Sequence, residues 1–141
     1  MTPASRTLLC YGDSNTHGTL PLPDLDTMGR MAKAERWTTH LARLLPEWEV
    51  IAEGLPGRTT VHDDPIEGAH RNGMTILPAI LESQAPAVAT VAARLGVAFE
   101  DAGRLVRVSA IDGIHYDAAA MPALAAGLAA AIKREFPCGG D

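Results

Sequence analysis

The chain has 141 residues, 47% of them hydrophobic and 21% charged, a balance that suits one soluble globular domain of modest size. A net charge of −5 gives no electrostatic reason to expect nucleic acid or an anionic membrane as partner. Aromatic residues make up only 4%, so the core has to be built mainly from Ala, Leu, Val and Ile.

Thr7 to Tyr11 is a short, continuously apolar run closed by Gly12, the pattern of a buried parallel strand feeding a turn. No apolar run approaches the roughly 20 residues of a membrane span. The stretch from Met1 to Arg6 leads into that strand without a signal-peptide cleavage pattern, which makes the cytoplasm the expected compartment. Of two cysteines, Cys10 falls in the apolar run and Cys138 in a Pro-Cys-Gly-Gly tail expected to be mobile; such a pair predicts neither a disulfide framework nor a metal site. Pro21 to Lys33, rich in Pro, Asp and Gly, reads as a loop. Trp37, Leu41, Leu44 and Leu45 recur at helical spacing and predict a helix from about Glu35 to Leu45, ending before Pro46.

Glu49 to Ala52 is a second strand, and Gly54 to Asn72 a long polar loop of the kind that usually carries function. A helix follows over Thr75 to Ser83, with Pro78 tolerated in its first turn. Next come an Ala/Val-rich helix from Ala87 to Leu95, capped by Gly96, and a short strand from Val97 to Phe99 running into Glu100 to Gly103. Asp117 can cap the last helix, whose Met121, Leu124, Leu128 and Ile132 make one apolar stripe. Strands alternating with helices, with no linker and no internal repeat, predict a single α/β domain with a parallel sheet.

Three stretches carry candidate chemistry. Gly12-Asp13-Ser14-Asn15 places a serine at the carboxyl end of a parallel strand, where α/β enzymes bind ligands and where helix-opening amides favour developing negative charge. The same tetrapeptide can equally be a helix cap after a tight turn. Asp112-Gly113-Ile114-His115 sets an acid three residues before a histidine around a glycine, so that both side chains can converge as a base and its orienting partner, or form a solvated surface turn. Gly54-Leu55-Pro56-Gly57-Arg58-Thr59-Thr60 offers the Gly57 amide, which a ligand can approach closely because no side chain covers it, or it is simply a turn. His62, Asp63, Asp64 and His70 lack the short regular spacing of zinc motifs and read as solvated loop residues; no metal and no cofactor is expected. His17 reads as a helix-face or loop residue, and Trp37 and Trp48 as core or pocket wall.

Taken together, Gly-Asp-Ser-Asn at the start, Gly-Leu-Pro-Gly-Arg-Thr-Thr after the second strand and Asp-Gly-Ile-His near the end resemble the first, second and last sequence blocks of the SGNH (GDSL) hydrolases. Arg36-Trp37, Asp63-Asp64-Pro65 and Asn72-Gly73 are similar to residues of the arylesterase and acyltransferase branch. The resemblance runs from about Arg6 to Ser83 and from about Val91 to Phe136. It implies a three-layer α/β/α, flavodoxin-like fold with a parallel sheet of about five strands. Ser14 is then the nucleophile, His115 the general base and Asp112 its orienting acid, with the amides of Ser14 and Gly57 as oxyanion donors. Asp13, Asn15, Arg58 and Trp37 are candidates for the substrate pocket, with anchoring of its own loop as the equal alternative for Arg58. The implied partner is a small carboxylic ester, short-chain acyl or aryl, cleaved through an acyl-enzyme, with acyl transfer to an alcohol as a second outcome. A homo-oligomer is implied by the branch. Carbohydrate deacetylation by the same triad, or a catalytically impaired remnant serving binding or assembly, are the alternatives.

One block is missing. The family's Gly-x-Asn-Asp segment on a central strand, whose Asn supplies a third oxyanion donor, has no counterpart, and neither Asn15 nor Asn72 follows an apolar strand. By comparison with the usual size of the family it resembles, the break falls near Pro86–Ala87 and amounts to a central segment on the order of 70 residues. Removing central strands exposes ladders of backbone donors and acceptors. Either the polypeptide contains residues beyond these 141, or the last strand pairs with the first, or two copies exchange segments.

Overall fold

The computed structural model describes residues 6–24, 26–83 and 102–137. Strand β1 (Arg6–Gly12) and strand β2 (Trp48–Gly54) pair in parallel, from Arg6 opposite Trp48 to Gly12 opposite Gly54. The crossover between them holds a single helical turn, α1 (Ser14–His17), then a loop, a 3₁₀ turn at Lys33–Glu35 and helix α2 (Trp37–Leu44). After the 55–72 loop come α3 (Gly73–Ser83), the short α4 (Ala102–Leu105) and the long α5 (Met121–Glu135).

The core forms where α2 and α5 pack together against one face of the strand pair. Trp37, Leu41 and Leu45 follow one another every four residues on a single side of α2, and all are buried. Met121, Leu124, Ala125 and Ala129 face them from α5, while Leu8, Cys10 and Val50 come up from the strands. Burying each Leu or Met contributes about 1.5–3 kcal/mol, and Leu41→Ala would cost about 2–5 kcal/mol because the surrounding helices cannot collapse fully onto the gap. At the far end of α5 the Phe136 ring meets Trp48 edge-on at 6.0 Å. Arg6 lies over the Trp48 ring at 5.3 Å and donates to the Phe136 carbonyl, tying β1 to the end of α5. Burial pushes the Cys10 thiol up to about 12.

Most predicted elements fall within two residues of their observed bounds. Helix α3 begins at Gly73 because Asn72 caps it, its side-chain oxygen accepting from the amides of Met74 (3.1 Å) and Thr75 (3.2 Å); Pro78 therefore lies in the second turn instead of the first. The predicted capping of the last helix by Asp117 is corrected. Asp117 precedes a 3₁₀ turn, Ala118–Ala120, and makes no side-chain cap bond; α5 starts after that turn, with Pro122 in its first turn. Ala102 and Gly103, expected to trail a strand, open α4. The predicted helix Ala87–Leu95, the strand Val97–Phe99, the break near Pro86–Ala87 and Cys138 all lie outside the described residues, among which the sheet has two strands. No described helix is long and apolar enough to cross a membrane.

Candidate active site

Parallel pairing delivers the carboxyl ends of β1 and β2 to the same edge, so the turns that follow them emerge side by side. The Leu55 amide donates to the Gly12 carbonyl at 3.0 Å. Arg58 donates through Nη1 to the Gly12 carbonyl at 2.8 Å and to the Glu53 carbonyl, and its guanidinium lies 3.9 Å from the centre of the Tyr11 ring. The Tyr11 hydroxyl donates in turn to the Gly73 carbonyl at 2.8 Å. Arg58 is thus a strut joining the Ser14 turn to the Gly57 loop. Gly54 allows the close approach: a Cβ there would fall 2.1 Å from the backbone nitrogen of His17.

Ser14 opens α1, half-buried, directly after this turn. Asp13 caps the helix, its Oδ1 accepting from the Asn15 amide at 2.9 Å. Because α1 is one turn long, the site offers individual amides and no extended helix dipole. Among the described residues neither the Ser14 nor the Gly57 amide donates a hydrogen bond, so both remain open to an acceptor.

The Asp112–His115 pair sits in a loop tied at its base, where the Ser109 amide donates to the His115 carbonyl at 2.7 Å and the Gly113 amide to the Ser109 carbonyl at 2.9 Å. Gly113 adopts φ +70°, the left-handed conformation that turns the chain so both side chains meet. Every acceptor position of Asp112 is engaged: Oδ2 accepts from His115 Nδ1 at 2.7 Å and from the Leu22 amide at 2.8 Å, and Oδ1 from the amides of Ile114 (2.9 Å) and His115 (3.0 Å). The Leu22 amide above all, then the His115 ring and the two loop amides, hold the Asp112 carboxyl well below the usual carboxylate range, against a smaller opposing effect of burial. An ionised carboxylate only accepts, so Nδ1 carries a proton, which in the neutral imidazole leaves the lone pair on Nε2.

Asn15 joins the two halves. Its Nδ2 donates to the Ile114 carbonyl at 3.3 Å and its Oδ1 accepts from the Tyr116 amide at 3.2 Å, one bond on each side of His115. Ser14 and His115 share no hydrogen bond among the described residues. A cleft of about 470 Å³ begins at Gly12 and Asp13 and runs between Tyr11, Arg58, Val61, Met74 and Leu77; Gly57 lines a second, of about 260 Å³, with Met28 and Ile66.

Of the four pocket candidates, Asp13 and Arg58 line the cleft. The other two are not among its lining residues. Both amide atoms of Asn15 are engaged with the base loop, and Trp37 is packed into the core, 9% exposed. In the long loop, Asp64 accepts from the amides of Ile66 and Glu67, Asp63 accepts from Asn72, and His70 and Arg71 both pair with Glu67. No group of three or more potential ligands among the described residues could hold a metal ion. His17 bonds Thr19 at 3.1 Å, its pKa lowered by burial and then by the charges of Arg30 and Arg36. Three contributors escaped sequence reasoning: the Leu22 amide, Ser109 and the cross-link by Asn15.

No family model matches the chain, and no curated protein does. Among solved structures it is similar to a carbohydrate acetylesterase family member from Sinorhizobium meliloti, at 24% identity and a TM-score of 0.76 over 94% of this chain and 100% of that one. It is also similar to the native aryl esterase of M. smegmatis, at 23% identity and a TM-score of 0.80 over 92% of this chain and 99% of that one. A structure of Est24, a carbohydrate acetylesterase from S. meliloti, matches at 22% identity and a TM-score of 0.80 over 94% of this chain and 100% of that one. The chain has the fold of these esterases. At these identities what is shared is the fold, and it is the SGNH-type α/β fold that the three sequence blocks imply.

Proposed function

We propose that the chain is a serine esterase acting on small carboxylic esters, short-chain acyl or aryl. The observation that carries this reading is the Asp112–His115 hydrogen bond of 2.7 Å, held by Asn15 against the turn that bears Ser14. His115 Nε2 takes the Ser14 hydroxyl proton as Oγ attacks the ester carbonyl; Asp112 keeps the ring in the right tautomer and stabilises its positive charge. The tetrahedral oxyanion accepts from the amides of Ser14 and Gly57. Collapse breaks the bond to the leaving alkoxide, which takes the proton from His115 and leaves an acyl-enzyme. Water, activated by His115, hydrolyses it; a competing alcohol gives acyl transfer instead. The apolar walls of the larger cleft, Tyr11, Val61, Met74 and Leu77, suit a small acyl or aryl group. Without the Asn of the third block, turnover is expected to be lower by about 10²–10³ than with three oxyanion donors.

The test is hydrolysis of p-nitrophenyl acetate with Ser14→Ala and His115→Ala, each expected to lose at least ~10³ of the turnover. Undiminished activity in both variants sinks the mechanism. If a serine-directed organophosphonate leaves Ser14 unlabelled, a binding or assembly module becomes the better reading.

A second reading, deacetylation of carbohydrates by the same triad, draws on two of the similar structures being described as carbohydrate acetylesterases. Against it, both tryptophans of the sequence are core residues, which leaves neither to stack on a sugar ring. Comparing acetylated sugars with aryl acetates separates the two. The same proposal includes a homo-oligomer, with exchange of segments between copies as one way of completing the sheet. Light scattering tests the assembly, and an intact mass of 14.9 kDa rather than a larger one tests whether the central segment is truly deleted.

A further inference from the structure

Asn15 follows the nucleophile in the chain, and its side chain reaches residues 99 and 101 positions away. The two partners flank His115: the Ile114 carbonyl needs a donor, and the Tyr116 amide needs an acceptor. Among side chains of this length only a carboxamide offers both, on atoms that diverge as the partners do. The Asn15 backbone is fixed independently by the Asp13 carboxylate at 2.9 Å, so the clamp cannot shift without moving the Ser14 turn. Asp112 sets the tilt and tautomer of the His115 ring, while the bonds from Asn15 place the backbone from which that ring projects.

We propose that Asn15 is a positioning residue that sets the separation of Ser14 and His115; the proposal rests on the ester-cleaving reading of the same site. Its loss leaves both groups present but displaced, and displacement of about 1 Å costs on the order of 10² in rate. Asn15 does not line the cleft, so KM is expected to hold.

Two variants grade the effect. Asn15→Asp keeps an acceptor for the Tyr116 amide and loses the donor to Ile114; Asn15→Leu keeps neither. With p-nitrophenyl acetate, kcat should fall about 10-fold in the first and about 100-fold in the second, with KM within about twofold and organophosphonate labelling of Ser14 slowed in parallel. Exchange of the Tyr116 amide should accelerate in Asn15→Leu, with the melting temperature little changed. A wild-type kcat in Asn15→Leu overturns the proposal, as does a kcat that falls only in proportion to the folded fraction. Should Asn15→Leu not fold, Asn15→Asp decides, and a kcat within twofold of wild type overturns it. A wild-type chain inert to both ester and phosphonate defeats the ester-cleaving reading instead. The clamp is then judged by exchange alone, and an unchanged Tyr116 rate refutes it.

Discussion

Two polar loops border the site, and they use similar residues to opposite ends. In the loop from Ser109 to His115 the carboxylate gathers four donors, yet the ring it orients is left with one nitrogen that accepts nothing from the described protein. In the loop from 55 to 72 the bonding groups largely turn inward: Asp64 on Ile66 and Glu67, Asn72 on Val61 and Asp63, Arg71 on Glu67 and the Pro56 carbonyl. The first loop concentrates its bonds on one carboxylate and so fixes one ring beside it. The second distributes them to hold a backbone shape from which the Gly57 amide projects. A histidine beside an acid means different things in each. His115 shares its acid's oxygen with a distant backbone amide and is 6% exposed, whereas His70 meets Glu67 on an open surface where such pairs contribute little.

Substitutions can break this contrast. The largest effect is expected for Asp112→Asn, which puts an amide N–H where the ring needs an acceptor; ester turnover should fall about 10²–10⁴-fold with the fold retained. An unaffected rate would reduce the first loop to a structural turn like the second. Arg58→Met removes the strut between the loops, leaving the Gly12 and Glu53 carbonyls short of a donor. A loss of about 1–3 kcal/mol in denaturant unfolding is expected, with turnover down by about 10-fold as Gly57 shifts. Smallest should be Glu67→Ala in the second loop, with turnover within about twofold of wild type.

Acid and base titrations sharpen the same comparison. The folded-state pKa of Asp112 lies below its ordinary value of 3.8, so its contribution to stability is present above that value and is lost as pH falls below it. Unfolding midpoints followed from pH 6 to pH 2 should therefore drop, and less steeply in Asp112→Asn. Cys10 works in the other direction. Its thiol is raised from 9.0 to about 12 in the folded state, so stability is complete below pH 9 and declines as pH rises from there toward 12. Thiol reagents at pH 8 should accordingly spare Cys10 until the chain unfolds.

The sequence marked Ser14, Asp112 and His115 as candidates because each is a side chain of recognisable chemistry at the end of an element with a clear hydrophobic period. The parallel pairing of the first two strands was legible for the same reason. What it hid were backbone partners and distant cross-links. The Leu22 amide has no signature within a loop rich in Pro and Asp, although it is the strongest influence on the Asp112 carboxyl. Asn15 reads locally as a neighbour of the nucleophile, because nothing in its vicinity announces Ile114 and Tyr116. Trp37 was ambiguous in principle: a large apolar side chain opening a helix serves a core as well as a pocket wall, and only the packing of α2 on α5 decides between them.

Placing both tryptophans in that core has a practical consequence. Trp37 and Trp48 lie on the face of the strand pair covered by α2 and α5, while the cleft opens beside Tyr11 on the other face. Intrinsic fluorescence excited at the indole band will therefore follow the unfolding of the body and stay nearly silent when the cleft is filled. The molecule carries its own folding gauge, separate from its site, and a variant that has lost its chemistry can be told optically from one that has lost its shape.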